Sequence, residues 1–547
     1  MRTAVLSSSK ELDVMVLNSG PLKGINPHIM FISLLITVGL VGFALLYPGQ
    51  SAFLVDAVRT VITVSANAWY VILAGLFLIF CVGIAFSKYG NIKLGDDHEK
   101  PEFGYFAWFA MVYAAGQGIG IIFWSIAEPM FHFSGGSPFS AAVGNQEAAE
   151  SAMAIAFFHW GLNAWAIYCV VGLSLAFICY RLKKPLSIRY TLYPLFGDKV
   201  TGRWGILIDV IAVFATLFGI ATSLGMGAQQ INAGLAEIWG IPQSENVQLV
   251  LISVITVCAL ISVLTGLKRG VKYLSIGNMW LTVLLLVFFF AFGPTLYILK
   301  TLFGVTFDYV AQLVSFNIYI EPAPTDADAS WKSMWQGWWT VFYWGWWMSW
   351  APFVGVFVAR VSRGRTIREF VLGVVGVSSL LSFVWLAAYG GTALYQDLFN
   401  NAGIAAVVSN DVAKALYATF QSMDLGYLST LAMIVGTILV ATYFITSSDS
   451  GTLVLTTIMS EGNEHPLNRH RVVWGIMQGV VAAVLLVVGG DAALSSLQTA
   501  SIAAALPFSL IMLLMCCSLY MGVKSEYRRM IENKAYNTVI VDSKEVN

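Results

Sequence analysis

The chain is short of charge. Only 11% of its 547 residues are Asp, Glu, Lys or Arg, where soluble domains carry about 25%. Too little polar surface remains to coat a water-soluble fold of this size. Lys+Arg 30 against Asp+Glu 30 leaves a net charge of zero. That excludes the broad basic field a nucleic-acid binder needs. An acidic disordered chain is excluded as well, since it would be poor in apolar residues. Six cysteines are present. Cys81, Cys169, Cys179, Cys258, Cys516 and Cys517 all fall inside apolar runs, without a C-x-x-C pair or Cys/His cluster, so they read as small apolar filler. Residues 1–24 are polar and the apolar run from Ile29 is too long for a signal-peptide core, so no cleavable leader is expected. No stretch reads as a soluble domain, a low-complexity segment or a repeat.

What the chain has is apolar length. Hydrophobic residues make up 58% and the mean hydropathy is +0.75. Runs of spanning length fall near 29–48, 67–87, 105–127, 150–180, 204–235, 247–266, 271–302, 333–359, 368–390, 427–459, 471–489 and 497–522. They are about 20 residues or longer and do not alternate, which excludes a β-barrel. The expected fold is an all-α polytopic membrane protein with 12 transmembrane helices. The basic residues test this count. All but Arg59, Lys300, Lys332 and Lys414 collect in seven groups: the N-terminus, every second loop (88–100, 181–203, 268–272, 360–368, 469–471) and the tail after 523. Lys and Arg mark the cytoplasmic side, so both termini are expected inside. The segment 303–332 falls outside; its stretch Val310–Ile320 is expected as an amphipathic surface helix, and residues 391–426 are a candidate for a second.

Two spans carry unusual chemistry. The third contains Ala114-Ala115-Gly116-Gln117-Gly118-Ile119-Gly120. Three glycines at alternate positions weaken a helix by about 1 kcal/mol each. Either the segment unwinds and its carbonyls line a polar cavity, or the glycines serve close helix packing. Glu128-Pro129 closes this span, as an interfacial carboxylate or as half of an ion pair. The eighth span holds Tyr343-Trp344-Gly345-Trp346-Trp347-Met348-Ser349-Trp350, and the fourth holds His159-Trp160, Trp165 and Tyr168. Trp347 and Trp350 share a helical face with Trp344 one turn earlier, as do Trp165 and Tyr168. Interfacial tryptophans sit at span ends; these sit inside one. An alternative host role follows, because indole faces attract a diffuse cation by 0.5 to about 2 kcal/mol each. A methylated ammonium or sulfonium donates no N–H, so an aromatic cage suits it.

The run Trp344–Gly355 with Ala359-Arg360-Val361-Ser362-Arg363-Gly364-Arg365-Thr366 resembles the signature of the betaine/choline/carnitine transporters. So do Gly116–Gly120 with Glu128-Pro129, Ala221–Gly225 with Gln230–Leu235, and Phe444–Ser450. The resemblance covers all twelve spans. It implies a LeuT-like core of two inverted five-helix repeats with alternating access. Residues 1–24 would then be a cytoplasmic tail, 25–103 two peripheral helices, 104–303 the first repeat, 304–332 the external segment, 333–522 the second repeat and 523–547 a short cytoplasmic tail.

The resemblance also implies a site. Trp160, Trp165 and Tyr168 with Trp344, Trp346, Trp347 and Trp350 would form the cage, Trp347 central. Gly116, Gln117, Gly118 and Gly120 would offer backbone N–H groups to a substrate carboxylate. A sodium ion would be held by the carbonyls of Ala114, Gln117 and Tyr443 and the hydroxyls of Thr446 and Ser447. Without the resemblance, those two hydroxyls read as bonded back into their own helix. A second sodium position would draw on Thr216 and Phe353, but Ile220 stands where the family has another threonine, which puts it in doubt. Gln117 replaces the usual methionine, and its side chain could face the substrate. Choline-specific relatives carry aspartate at the position of Gly120, so a zwitterion is expected: glycine betaine or dimethylsulfoniopropionate before choline or carnitine. The implied function is Na+-coupled uptake, with Na+ as coupling ion and no other cofactor, in a bacterial inner membrane, as a homotrimer by family expectation. The short tail implies little osmotic regulation. The Arg360–Arg368 group reads as positive-inside anchoring, as a gate element, or both. An intramembrane enzyme would need a nucleophile with a base or clustered metal ligands, and His159 is the one histidine expected clearly inside a span. A channel or substrate-sensing receptor is the other rival.

Overall fold

The computed structural model describes residues 16–17, 19–20, 22–265, 272–322, 327–463 and 465–545. Most of the N-terminal tail, Lys268 and Arg269, and residues 323–326 of the external segment lie outside the described residues. Among those described the fold is helical, with two isolated bridges and no strand. Among the described residues ten helices are long and apolar enough to cross a membrane, eleven with one bent pair counted as a span.

The chain opens with α1 (Pro27–Leu46), capped by the Asn26 side chain, which accepts from the amides of His28 and Ile29. α2 (Pro48–Ser65) follows at once, then α3 (Asn67–Phe86). The third run is a pair, α4 (Tyr105–Gly116) and α5 (Ile119–Gly135), bent by 71°. The fourth is α6 (Gln146–Trp160) and α7 (Leu162–Ala176), parted by Gly161. Next come α8 (Arg203–Trp239), α9 (Glu245–Thr265) and α10 (Lys272–Phe292). Gly293-Pro294 then ends the seventh run ten residues before the expected 302, because proline disfavours helix in the residue before it. The chain restarts as α11 (Thr295–Ile318), a longer helix that takes in all but the last two residues of the stretch expected as amphipathic.

α12 (Ala327–Gln336) leads through one wide turn, Gly337–Val341, into α13 (Phe342–Val361), which holds the tryptophan run. α14 (Ser378–Asn400) and two short helices, Ile404–Asn410 and Ala415–Ser422, precede α15 (Tyr427–Met459). α16 (Asn468–Gly489) and α17 (Ala493–Glu545) complete the fold. α13 packs against α7, α8 and α17, and α5 against α6 and α14. The second half of the broken pair and the tryptophan helix are therefore largely buried within the protein.

The basic loops are stitched together. Leu94 donates its amide to Arg365 O at 2.8 Å, Gly364 to Leu94 O at 2.8 Å and Ile367 to Ile92 O at 2.9 Å. Arg365, 1% exposed, stacks on Trp108 at 3.9 Å and donates to Phe103 O at 2.7 Å. Arg363 pairs with Glu99. Burial raises the Glu99 carboxyl, but the Asp96 amide and Arg363 outweigh it and hold it below the usual range. Deeper in, Arg189 donates to Asp209 at 2.6 Å and lies 3.5 Å from Glu461.

Candidate functional site

The break between α4 and α5 is a real unwinding. Gln117 (φ −106°, ψ 158°) and Gly118 (φ −172°, ψ −141°) are extended. The segment unwinds, and its glycines also serve packing. A Cβ at Gly116 would lie 2.5 Å from Trp165 Cη2, and one at Gly120 would lie 2.4 Å from Trp346 Cη2. One at Gly118 would lie 3.4 Å from Trp350 Cη2 and from Ser447 Oγ. Only glycine at 116 and 120 lets Trp165 and Trp346 approach this closely. α5 begins without a side-chain cap. Its first-turn N–H groups and positive dipole end thus remain for an anion.

The rings converge from α6, α7 and α13. Trp347 lies among them. Its ring lies 4.8 Å from Trp160, 4.8 Å from Trp346, 5.8 Å from Tyr343 and 5.9 Å from Tyr168. Trp346 and Trp347 are stacked at 15°, an arrangement consecutive helical residues rarely adopt. Trp347 Nε1 donates to His159 O at 2.9 Å, which fixes the ring against the end of α6. Trp165 joins through Tyr168 at 5.7 Å, and Trp350 through Trp346 at 6.4 Å. Trp344 does not join. It lies against Phe158 at 5.1 Å and His159 at 5.7 Å, so its shared face with Trp347 does not carry it into the ring cluster. Trp350 likewise meets Trp346, one full turn away, and Phe353. Tyr343 belongs to the cluster; its adjacency to the tryptophan run was the signal. All seven candidate rings are at most 3% exposed.

Gln117 points to α14. Its Nε2 donates to Ser382 Oγ at 3.0 Å, and Trp165 Nε1 donates to the same oxygen at 3.3 Å. Ser382 spends its own proton on Ser378 O at 3.1 Å. An indole N–H can only donate, so the Gln117 contact must also be a donor. That orientation leaves Gln117 Oε1 buried and without a partner.

The five sodium candidates lie on α4, the break and α15. Ser447 faces the break, as the Gly118 distance shows. Thr446 instead bonds back to Thr442 O at 3.1 Å and Tyr443 O at 3.2 Å and accepts from Asn278 at 2.9 Å. Thr216 donates to Ala212 O at 2.8 Å. Ile220, between it and α15, abuts Gly451, where a Cβ would come within 2.3 Å. That contact is apolar, as the substitution implied.

Glu128 overturns the interfacial reading. It lies inside α5 with 0% exposure. Pro129 does not end the helix: it lacks an N–H for Ser125 O, and Gly390 of α14 packs against that carbonyl, where a Cβ would sit 2.5 Å away. Glu128 Oε1 accepts from His159 Nδ1 at 2.6 Å, and Oε2 from Trp160 Nε1 at 2.9 Å. His132, also buried, brings Nε2 to 3.6 Å of Oε1. His159 is therefore not alone within the helices. The spacing of His132 four residues after Glu128 could have revealed it. The three ligand atoms lie within 4.8 Å of one another, near enough for a metal ion. Hydrogen bonding argues otherwise: Trp335 Nε1 donates to His132 Nδ1 at 3.2 Å, which leaves the ring proton on Nε2, facing the carboxylate. Beyond His132 opens a cavity of about 440 Å³ lined by Arg59, Trp124, Trp335, Trp338 and Trp339.

Comparison with known proteins agrees in one direction. Residues 28–528 match the model of the betaine/carnitine/choline family transporters. The chain is 43% identical over 499 residues to a probable glycine betaine transporter of Desulfitobacterium hafniense (strain Y51), covering 91% of this chain and 98% of that protein. It is 43% identical over 502 residues to the glycine betaine transporter OpuD of Bacillus subtilis (strain 168), covering 91% and 95%. It is 38% identical over 496 residues to an ectoine/hydroxyectoine transporter of Virgibacillus pantothenticus, covering 90% and 96%.

Proposed function

This chain belongs to the betaine/carnitine/choline transporter family, and we propose that it takes up a small methylated zwitterion, glycine betaine first, by Na+-coupled symport. Its relatives are transporters, and we read it as one and not as an enzyme. The observation that carries the substrate reading is the buried stack of Trp346 on Trp347, closed by Trp160 and Tyr168 beside the broken helix. Such faces attract a permanent cation that donates no hydrogen bond. The uncapped start of α5 suits the substrate carboxylate. Dimethylsulfoniopropionate presents the same chemistry with a sulfonium. Choline lacks the carboxylate, and Gly120 supplies no charge in its place.

For the cation, the reading rests on Ala114 and Gln117 at the break and Tyr443, Thr446 and Ser447 on α15, with Ser447 the hydroxyl nearest the break. One ion is proposed, since Thr216 is bonded within its own helix. We count α13 as the twelfth span; it falls below the other helices in hydropathy because indole and phenol rings rank low on that scale. The inverted repeats, the inner-membrane location, cytoplasmic termini and a homotrimer belong to the same proposal. A second substrate reading has one observation behind it: Gln117 Oε1 is a buried acceptor without a partner, which an N–H-bearing ring zwitterion of the ectoine type would satisfy and betaine would not.

The test is uptake of radiolabelled glycine betaine into proteoliposomes under an imposed inward Na+ gradient, with unlabelled dimethylsulfoniopropionate, ectoine, carnitine and choline as competitors. Uptake that follows the gradient and is blocked by the first competitor supports the reading. Uptake indifferent to the gradient removes symport, and stronger competition by ectoine than by unlabelled betaine favours the second substrate.

A further inference from the structure

The cluster behind the cage has no assigned role. Glu128 is fully buried, and the groups that meet it are N–H donors of histidine and tryptophan. His159 Nδ1 is at 2.6 Å and Trp160 Nε1 at 2.9 Å. His132, whose Nδ1 is occupied by the Trp335 N–H, presents its Nε2 proton at 3.6 Å. His159 Nε2 meets Thr340 Oγ1 at 3.1 Å. His159 thus gives its Nδ1 proton to Glu128, while its Nε2 shares a hydrogen bond with the threonine. No lysine or arginine is paired with Glu128 among the described residues. The arrangement is a buried carboxylate wrapped in N–H donors, with its second oxygen on the Trp160 indole.

That charge touches the cage. Trp160 bonds Glu128 through its indole edge and meets Trp347 with its ring at 4.8 Å, 72° apart. An anion at the indole N–H pushes electron density into the ring face and strengthens its hold on a cation. We propose that Glu128 is the buried counter-charge of the substrate cation, acting through Trp160, and that with the positive N-terminus of α5 it sets the direction in which the zwitterion lies. The two poles sit on one helix. Ile119 and Glu128 are nine residues apart, roughly 14 Å along the axis, which leaves room for a small zwitterion plus one indole. The ammonium end faces the Trp160 side and the carboxylate end faces the break. This inference rests on the cage reading above and deepens it.

The test compares glycine betaine with its carbon isostere 3,3-dimethylbutyrate, in which the quaternary nitrogen is a quaternary carbon. Both compete against radiolabelled betaine for full-length protein in proteoliposomes. Wild type should prefer betaine. Glu128→Gln, which keeps an oxygen for Trp160, should lower that preference about tenfold, while Glu128→Asp keeps most of it. His132→Lys, which sets an ammonium beside an intact carboxylate, should lower it too. A merely structural role would weaken both ligands together and leave the ratio unchanged. An unchanged ratio in either neutralising variant that reaches the membrane overturns the inference, as does a wild type that does not distinguish the two. Absence of betaine uptake by wild type would instead strike the functional reading itself.

Discussion

Trp346 lies flat on Trp347 only because residue 120 is glycine. A Cβ there would lie 2.4 Å from Trp346 Cη2, well inside contact, so Gly120→Ala should unstack the pair. Overpacking of this kind costs about 1–3 kcal/mol, and the expected outcome is a rise of tenfold or more in the betaine concentration for half-maximal uptake. Unaltered uptake would show that the stack is dispensable. Ser382 is the second residue of this kind. It accepts from both Gln117 and Trp165, so Ser382→Ala strands two buried donors at about 1–3 kcal/mol each. A lower melting temperature in detergent and weaker betaine binding should appear together.

At the scale of the helix, the break was legible and its surroundings were not. Three alternating glycines offered the unwinding between Gly116 and Ile119 as one of two readings, and the tryptophan run marked α13. The break at Gly161 in the fourth run was hidden, because one glycine in an apolar stretch has many uses; here it clears Phe383, 2.7 Å from where a Cβ would stand. Pro129 misled, since a proline stops a helix unless a neighbour such as Gly390 covers the freed carbonyl. Nothing in the periodicity of α13 showed that Trp344 would turn toward Phe158 while Trp346 and Trp347 stack, because ring orientation depends on α6 and α7. α2 was missed because Asp56 and Arg59 interrupt its apolar run. The prediction at this scale concerns α15 against the break. Ser447→Ala should raise the Na+ concentration for half-maximal uptake about tenfold, with little change in maximal rate at saturating Na+, whereas Thr216→Ala should change neither. Equal effects of the two variants on Na+ dependence would contradict a single site.

At the scale of the molecule, two of the basic loops are locked to one another, which their sequence did not foretell. The Arg360–Arg368 group read as anchor or gate; it is stitched to residues 92–103 through Leu94, Gly364 and Arg365. Arg189 with Asp209 and Glu461 ties α8 to the end of α15. Removing one partner of a buried pair typically costs 3–5 kcal/mol, so Asp209→Asn should lower the melting temperature by several degrees. A melting temperature equal to wild type would show that the pair is not holding those helices together.

The central claim is that indole faces recognise the substrate's fixed positive charge, and Trp347 is where it can be tested most directly. Equilibrium binding of radiolabelled glycine betaine to purified wild type and Trp347→Ala, in saturating Na+, measures it. The account predicts that wild type binds and that the variant loses measurable affinity while remaining folded. A folded Trp347→Ala protein that binds betaine as tightly as wild type would contradict it.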